Sequence, residues 1–245
     1  MSDAKQVFEI IANNNQWGDK ESRSGAGSTL SYTTNLRQEI LTFIRMFDIK
    51  TFFDAPCGDF NWMKEVAFPT DVSYLGGDIV KSLIGENSAL YADSGRRFIE
   101  FDVVHDRFPE CDVWFCRDCL FHLPNAMIFE TLENFCKSEA RLVMMTNHVN
   151  AVGFQNKDVE IGGFRRIDFH IAPFFLSRNV LFRAADYVHP HPQREMCVWS
   201  RTQVVEALNS KGYLPTKSDI SIGIRRFASR VGRFARRAIH AVRAG

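Results

Sequence analysis

This 245-residue chain has no apolar run of the ~18 residues that a membrane-crossing helix requires. No segment therefore reads as a span. The start, Met1-Ser-Asp-Ala-Lys5, lacks the apolar core of a secretory leader. Six cysteines without a leader are expected to be free thiols in a reducing, cytoplasmic setting. There is no internal repeat or low-complexity tract. Net charge is almost absent, at +1. No metal is expected either. Cys116 and Cys119 have the spacing of a zinc pair, but Cys111 and Cys116 bracket the apolar run Asp112–Phe115. Side chains on such a strand alternate faces and would not converge on one ion.

What is present is a core. Hydrophobic residues make up 45% of the chain and phenylalanine alone contributes 22 residues, read here mainly as packing. The length suits one domain with appendages. Apolar spacing predicts a short helix over 5–14 and a second over 33–47. Strands follow at 51–54, 72–77, 97–101, 112–116 and 141–147, with a helix over 125–136. Strand and helix alternate, as in a mostly parallel sheet with helices on both faces. Residues 148–195 break the rhythm and read as a substrate lid inserted after the fifth strand. A strand at 196–199 and a helix over 202–210 come next. One more strand is owed. Tyr213–Leu214 and Ile220–Ile222 are weak candidates, and the insertion is the other source. The expected organisation is one domain over 1–220, with an N-terminal cap at 1–48, and a separate basic amphipathic helix at 221–245.

That last helix carries seven arginines and no acid between residues 224 and 243, so the remainder of the chain is acidic. Apolar Phe227, Val231, Phe234 and Ile239 recur at helical spacing. The pattern predicts a helix lying on an anionic membrane surface, peripheral to the inner face of the membrane. Docking on the acidic body of the same chain is the alternative. Nucleic acid is not expected, because no base-stacking or groove-reading motif accompanies the arginines.

The richest stretch is Thr51–Trp62. Apolar residues run into Asp54, a tight turn follows around Pro56 and Gly58, and a helix start is predicted beyond it. Asp78 closes the next apolar run about twenty residues on, where such folds set a carboxylate against ribose hydroxyls. A dinucleotide would need a glycine-rich turn for its pyrophosphate. This turn has Gly58 alone, and Asp59 would repel phosphate. A phosphate-free, cationic adenosine cofactor fits better, which favours S-adenosylmethionine over NAD.

With Asp54–Met63 (DAPCGDFNWM), Gly76–Val80 (GGDIV) and Cys116–Leu123 (CRDCLFHL), the chain resembles class I S-adenosylmethionine-dependent methyltransferases, specifically a little-characterised family carrying these strings. Glu21–Ser28 resembles that family's Ser/Gly loop, and the likeness spans roughly 17–200. It implies a Rossmann-like fold with a helical cap folded over the cofactor. The expected cofactor wall is Asp54, Pro56, Cys57 and Gly58 at the first turn, and Asp78 with Ile79 at the second. Asp102 with Val103 would flank adenine. Trp17, Arg37 and Arg117 complete the set, with Arg37 bonding the cofactor carboxylate; Arg117 could equally be an ion-pair partner.

His122, whose unperturbed pKa lies near neutrality, is the first candidate base; the alternative is that it supports the cofactor site without proton chemistry. Asp118 is the second catalytic candidate, as base or substrate anchor. His148, Asn156, Asp158 and Arg165 are substrate-side candidates. Asn156, Asp158, Gly162, Gly163, Phe164 and Arg165 match a pattern in the resembled family. The resemblance also implies company with polysaccharide synthesis, hence methylation of a hydroxyl on a sugar, glycan or glycolipid. The rivals are an NAD-dependent oxidoreductase and a non-catalytic, membrane-recruited binding protein.

Overall fold

A computed structural model describes residues 3–210. The arginine-rich segment at 221–245 and the strand candidates at Tyr213–Leu214 and Ile220–Ile222 lie outside the described residues. Strands β1 (Thr51–Asp54), β2 (Ser73–Asp78), β3 (Arg96–Glu100), β4 (Val113–Cys116), β5 (Leu142–His148), β6 (Phe182–Ala185) and β7 (Arg194–Ser200) form one sheet. Its order is β3-β2-β1-β4-β5-β7-β6. β1 to β5 pair in parallel, whereas β7 runs antiparallel to both β5 and β6. The helices are α1 (Asp3–Asn13), α2 (Thr34–Phe47), α3 (Lys81–Tyr91), α4 (Asn125–Cys136) and α5 (Arg201–Asn209).

The apolar strands are continuous runs because both faces of the sheet are covered. Successive side chains leave opposite faces. Phe53, Trp114, Val143 and Trp199 pack with Ile128 and Leu132 of α4 and Val204 and Leu208 of α5. Their neighbours Phe52, Phe115, Met144 and Val198 pack with Leu36, Ile40 and Phe43 of α2. Many of the phenylalanines are in these two layers. Ser200 and Gln203 close a reciprocal capping box that starts α5 as β7 ends.

The owed strand is β6, drawn from the 148–195 insertion. One local expectation fails. No α-helix starts after Gly58; the chain turns, and Met63–Glu65 form a single 3-10 turn. Gly58 and Phe60 both stand at positive φ, 56° and 57°. Left-handed residues interrupt a right-handed helix. Phe60 is instead buried against Phe98 and Tyr74.

Candidate active site

Strand order reverses direction between β1 and β4, and α/β sheets bind ligands at the carboxyl ends of strands flanking such a point. A cavity of about 390 Å³ opens there. The turn after β1 is laced to the end of β2. Cys57 N–H donates to the Gly77 carbonyl at 2.8 Å, and Gly58 N–H donates to Asp78 Oδ2 at 2.9 Å. Asp78 Oδ1 accepts from Val80 N–H at 2.9 Å. Asp54 ends β1 and accepts from the Tyr74 hydroxyl at 2.6 Å. Both carboxylates are buried. Burial pushes Asp54 up to about 8, although the Tyr74 hydrogen bond opposes it and nearby Asp78 adds to it. Burial likewise lifts Asp78, to about 6, against its backbone donors. The floor of the cavity is therefore short of positive charge.

The roof comes from the N-terminal segment. Phe8 of α1 packs beside Ala12, Val80 and Leu83. Asp59, which lines the cavity, also holds this roof down: it accepts from Ser22 Oγ at 2.9 Å, Arg23 N–H at 2.8 Å and Ser24 Oγ at 3.3 Å. A Cβ on Gly58 would collide with Ser24 Oγ, so the roof needs glycine at this position. Trp17 stacks on His122, ring centres 5.4 Å apart at 28°.

The far wall follows β4. Asp118 has φ 52°. Its N–H donates to Thr146 Oγ1 at 2.9 Å, and Arg194 Nη2 lies 2.8 Å from its Oδ2. Burial alone would raise the Asp118 carboxyl, but Arg117 and Arg194 hold it below the usual range. Arg117 forks onto Asp186 at 2.8 and 2.9 Å and reaches the Gly27 carbonyl at 2.7 Å. Two arginines and two aspartates thus form one charge-balanced cluster, with Arg194 also 4.9 Å over the Tyr32 ring.

Two histidines at this end are fixed in opposite tautomers. His122 Nδ1 lies 2.7 Å from the Gly163 carbonyl, so it carries the proton and leaves Nε2 an open acceptor. Burial lowers the His122 pKa. His148 Nδ1 instead accepts from Ile167 N–H at 3.2 Å, so the proton sits on Nε2. Burial brings His148 down to about 4.

Of the residues expected at the site, Trp17, Asp54, Pro56, Cys57, Gly58, Asp78, Ile79, Asp102, Val103, Arg117, Asp118 and His122 line this cavity. The structure does not bring five others to its wall. Arg37 donates to the Leu30 carbonyl and to Thr33 Oγ1, in the turn that leads into its own helix α2. His148 is buried behind Phe121 and Phe164. Asn156 braces its loop on the Asp168 and Ala172 carbonyls. Asp158 accepts from Asn125 N–H at 2.8 Å, capping α4 from outside the helix. Arg165 bonds Asp158 and the Lys157 and Leu123 carbonyls.

Arg194 and Asp186 were not singled out in the sequence. Asp186 follows a short strand, and only the antiparallel β6–β7 pairing brings both residues to the ligand edge. His148 opposite Arg194 in the β5–β7 register places Arg194 there.

Strand order and cavity position define a Rossmann-like fold of the class I methyltransferase type. Solved structures similar to this chain include magnesium protoporphyrin IX methyltransferase from Synechocystis PCC 6803 with bound SAH. The two share 13% identity over 80% of this chain and 97% of that one, with a TM-score of 0.56. N-methyltransferase NodS from Bradyrhizobium japonicum WM9, in complex with S-adenosyl-L-homocysteine, matches at 11% identity over 81% and 98%, TM-score 0.55. Human N-acetylserotonin methyltransferase in complex with SAM matches at 13% identity over 82% and 60%, TM-score 0.51. No protein-family model matches the sequence, and no curated protein matches it.

Proposed function

We propose that this chain is an S-adenosylmethionine-dependent methyltransferase acting on a hydroxyl of a sugar, glycan or glycolipid intermediate. The observation that carries the cofactor is the pair of buried carboxylates, Asp54 and Asp78, beside a turn with no phosphate cradle. A ligand bringing positive charge and a ribose relieves what burial costs them. The similar folds noted above, solved with this cofactor or its product, point the same way. When bound, the cofactor supplies an already activated methyl group.

The remaining work falls to the chain. Asp54 and Asp78 bind and orient the cofactor. Phe8, Ala12 and Trp17 exclude water. His122 Nε2 takes the acceptor's proton, and the Asp118 carboxylate orients the acceptor. With the arginines and aspartates balanced at this end, the acceptor pocket suits an uncharged group. Trp17 and the exposed Phe164 offer ring faces of the kind that stack on sugars.

Calorimetry with S-adenosylhomocysteine and with NADH tests the cofactor. Binding of the first alone is expected; tight NADH binding without a response to the first overturns the reading. For the acceptor, mass spectrometry of glycans from a deletion strain should reveal species lighter by one methylene. Residues 224–243, on their sequence, are proposed to hold the enzyme at an anionic membrane surface. Among the described residues no helix is long and apolar enough to cross a membrane.

A further inference from the structure

Toward the β6 edge of the sheet, three donor groups meet that methyl transfer does not use. Glu195 and Cys197 stand two residues apart on β7, so their side chains leave the same face. His170 reaches that face from the 148–195 segment. Its Nδ1–H points to the Leu176 carbonyl at 3.4 Å, and its Nε2 is buried with no partner among the described residues. A Glu195 oxygen, the Cys197 sulfur and a His170 ring nitrogen all lie within 4.8 Å of one another. Ligands around a tetrahedral ion stand roughly 3.3–3.8 Å apart, given metal–ligand bonds of about 2.0–2.3 Å. The trio needs to close by only about 1 Å to meet that spacing.

A positive nitrogen already occupies this nest. Arg183 of β6 faces Cys197 across the ladder. Its Nη1 donates to Glu195 and sits 3.4 Å from Cys197 Sγ. The Arg183 side chain is 42% exposed, so it can swing out to solvent at the sheet edge.

We propose that His170, Glu195 and Cys197 form a site for a zinc-class divalent cation, with water as the fourth ligand and Arg183 as the group displaced. The donor set decides the class. Thiolate with imidazole favours zinc or cobalt over magnesium or calcium, which seek oxygen. The Nδ1 contact to a backbone carbonyl is the outer contact that orients metal-binding histidines. On binding, the Cys197 sulfur–hydrogen bond breaks, the sulfur–metal bond forms, and one proton passes to solvent. Glu195 and the thiolate then balance the two positive charges, while Arg183 leaves still protonated. The ion would tie the insertion, through His170, to β7.

The full-length protein, freed of metal by dialysis, is titrated with cobalt(II). The expected result is one equivalent bound, with a thiolate-to-cobalt charge-transfer band that zinc abolishes. Calorimetry in buffers of different ionisation enthalpy should report one proton released. His170→Ala should weaken binding by ~tenfold or more. Arg183→Met keeps every ligand and removes the competitor, so it should tighten binding severalfold; it keeps the test sound should His170→Ala misfold. Absence of the charge-transfer band, a band unchanged by His170→Ala in a folded protein, or no tightening in Arg183→Met overturns the proposal.

Discussion

The Gly163 carbonyl lies 2.7 Å from His122 Nδ1 and thereby fixes which nitrogen of that ring is basic. Nε2 is left as an acceptor in a cavity that Trp17 helps to roof. Burial lowers the His122 pKa, so the neutral, proton-accepting form prevails at neutral pH. His122→Gln should lower kcat by about 10²-fold or more while S-adenosylhomocysteine affinity stays nearly constant. In the parent protein, kcat should fall as pH drops through a value below the ordinary histidine range, and the variant should lose that limb. A raised KM with an unmoved pH profile would assign His122 a supporting role.

Asp54 yields a pH dependence with opposite signs for stability and binding. Its folded pKa of about 8 lies above the ordinary carboxylate value of 3.8. The folded protein therefore holds this proton more tightly than the unfolded chain. Its contribution favours folding at low pH and is lost as pH rises from about 4 to about 8. A cationic ligand needs the ionised form, so affinity for S-adenosylmethionine should rise with pH and level off near 8, by up to ~tenfold per unit. Asp54→Asn should flatten both curves, raise the melting temperature at pH 8.5 more than at pH 5, and weaken ligand binding at least tenfold. Thermal melts and calorimetry across that range check it.

Asp59 fastens the roof through Ser22, Arg23 and Ser24. Asp59→Ala should free those donors and raise the dissociation constant for S-adenosylhomocysteine by about ten- to a hundredfold, roughly 1.4–2.8 kcal/mol. Hydrogen exchange of residues 19–28 should rise in the same variant. Unchanged exchange and affinity would show that the roof is held by its apolar contacts alone.

Asp158 is predicted to matter for stability and not for cofactor affinity. Asp158→Ala removes the acceptor for Asn125 N–H and the partner of Arg165. A loss of about 1–2 kcal/mol is expected, as for a helix cap. Denaturant unfolding reads the loss, and calorimetry should find cofactor binding intact. A large rise in acceptor KM at constant stability would return Asp158 to substrate binding.

The arginine-rich end can be tested by cutting the chain after Ser221. Flotation with vesicles containing anionic lipid should lose the truncated chain and retain the parent, and added salt should release the parent. Persistent flotation after truncation would place membrane contact elsewhere.

Much of the architecture was legible because its signals are local. The runs at β1, β4 and β5 are apolar on both faces, so their sites hardly depended on their partners. Asp54 and Asp78 could be paired in advance because parallel strands with short links bring equivalent ends to one edge. Phe182–Ala185 was not legible as a strand: four residues, only Ala184 among them buried, carry little pattern. The missing helix after Gly58 was not legible either, since nothing local announces that Phe60 turns left-handed to reach the core.

Apolar spacing and the acid-tipped turns were enough to predict a doubly wound sheet with two carboxylates at one edge, because both arise from neighbours along the chain. Which insertion residues serve the crevice and which hold the scaffold depended on partners far apart in sequence. Arg194 meets Asp118 across 76 positions, while Asp158 and Arg165 spend their hydrogen bonds on α4 and its loop. Such partnerships exist only once the strands have paired, because hydrogen bonding and burial act over a few ångströms whatever the sequence separation.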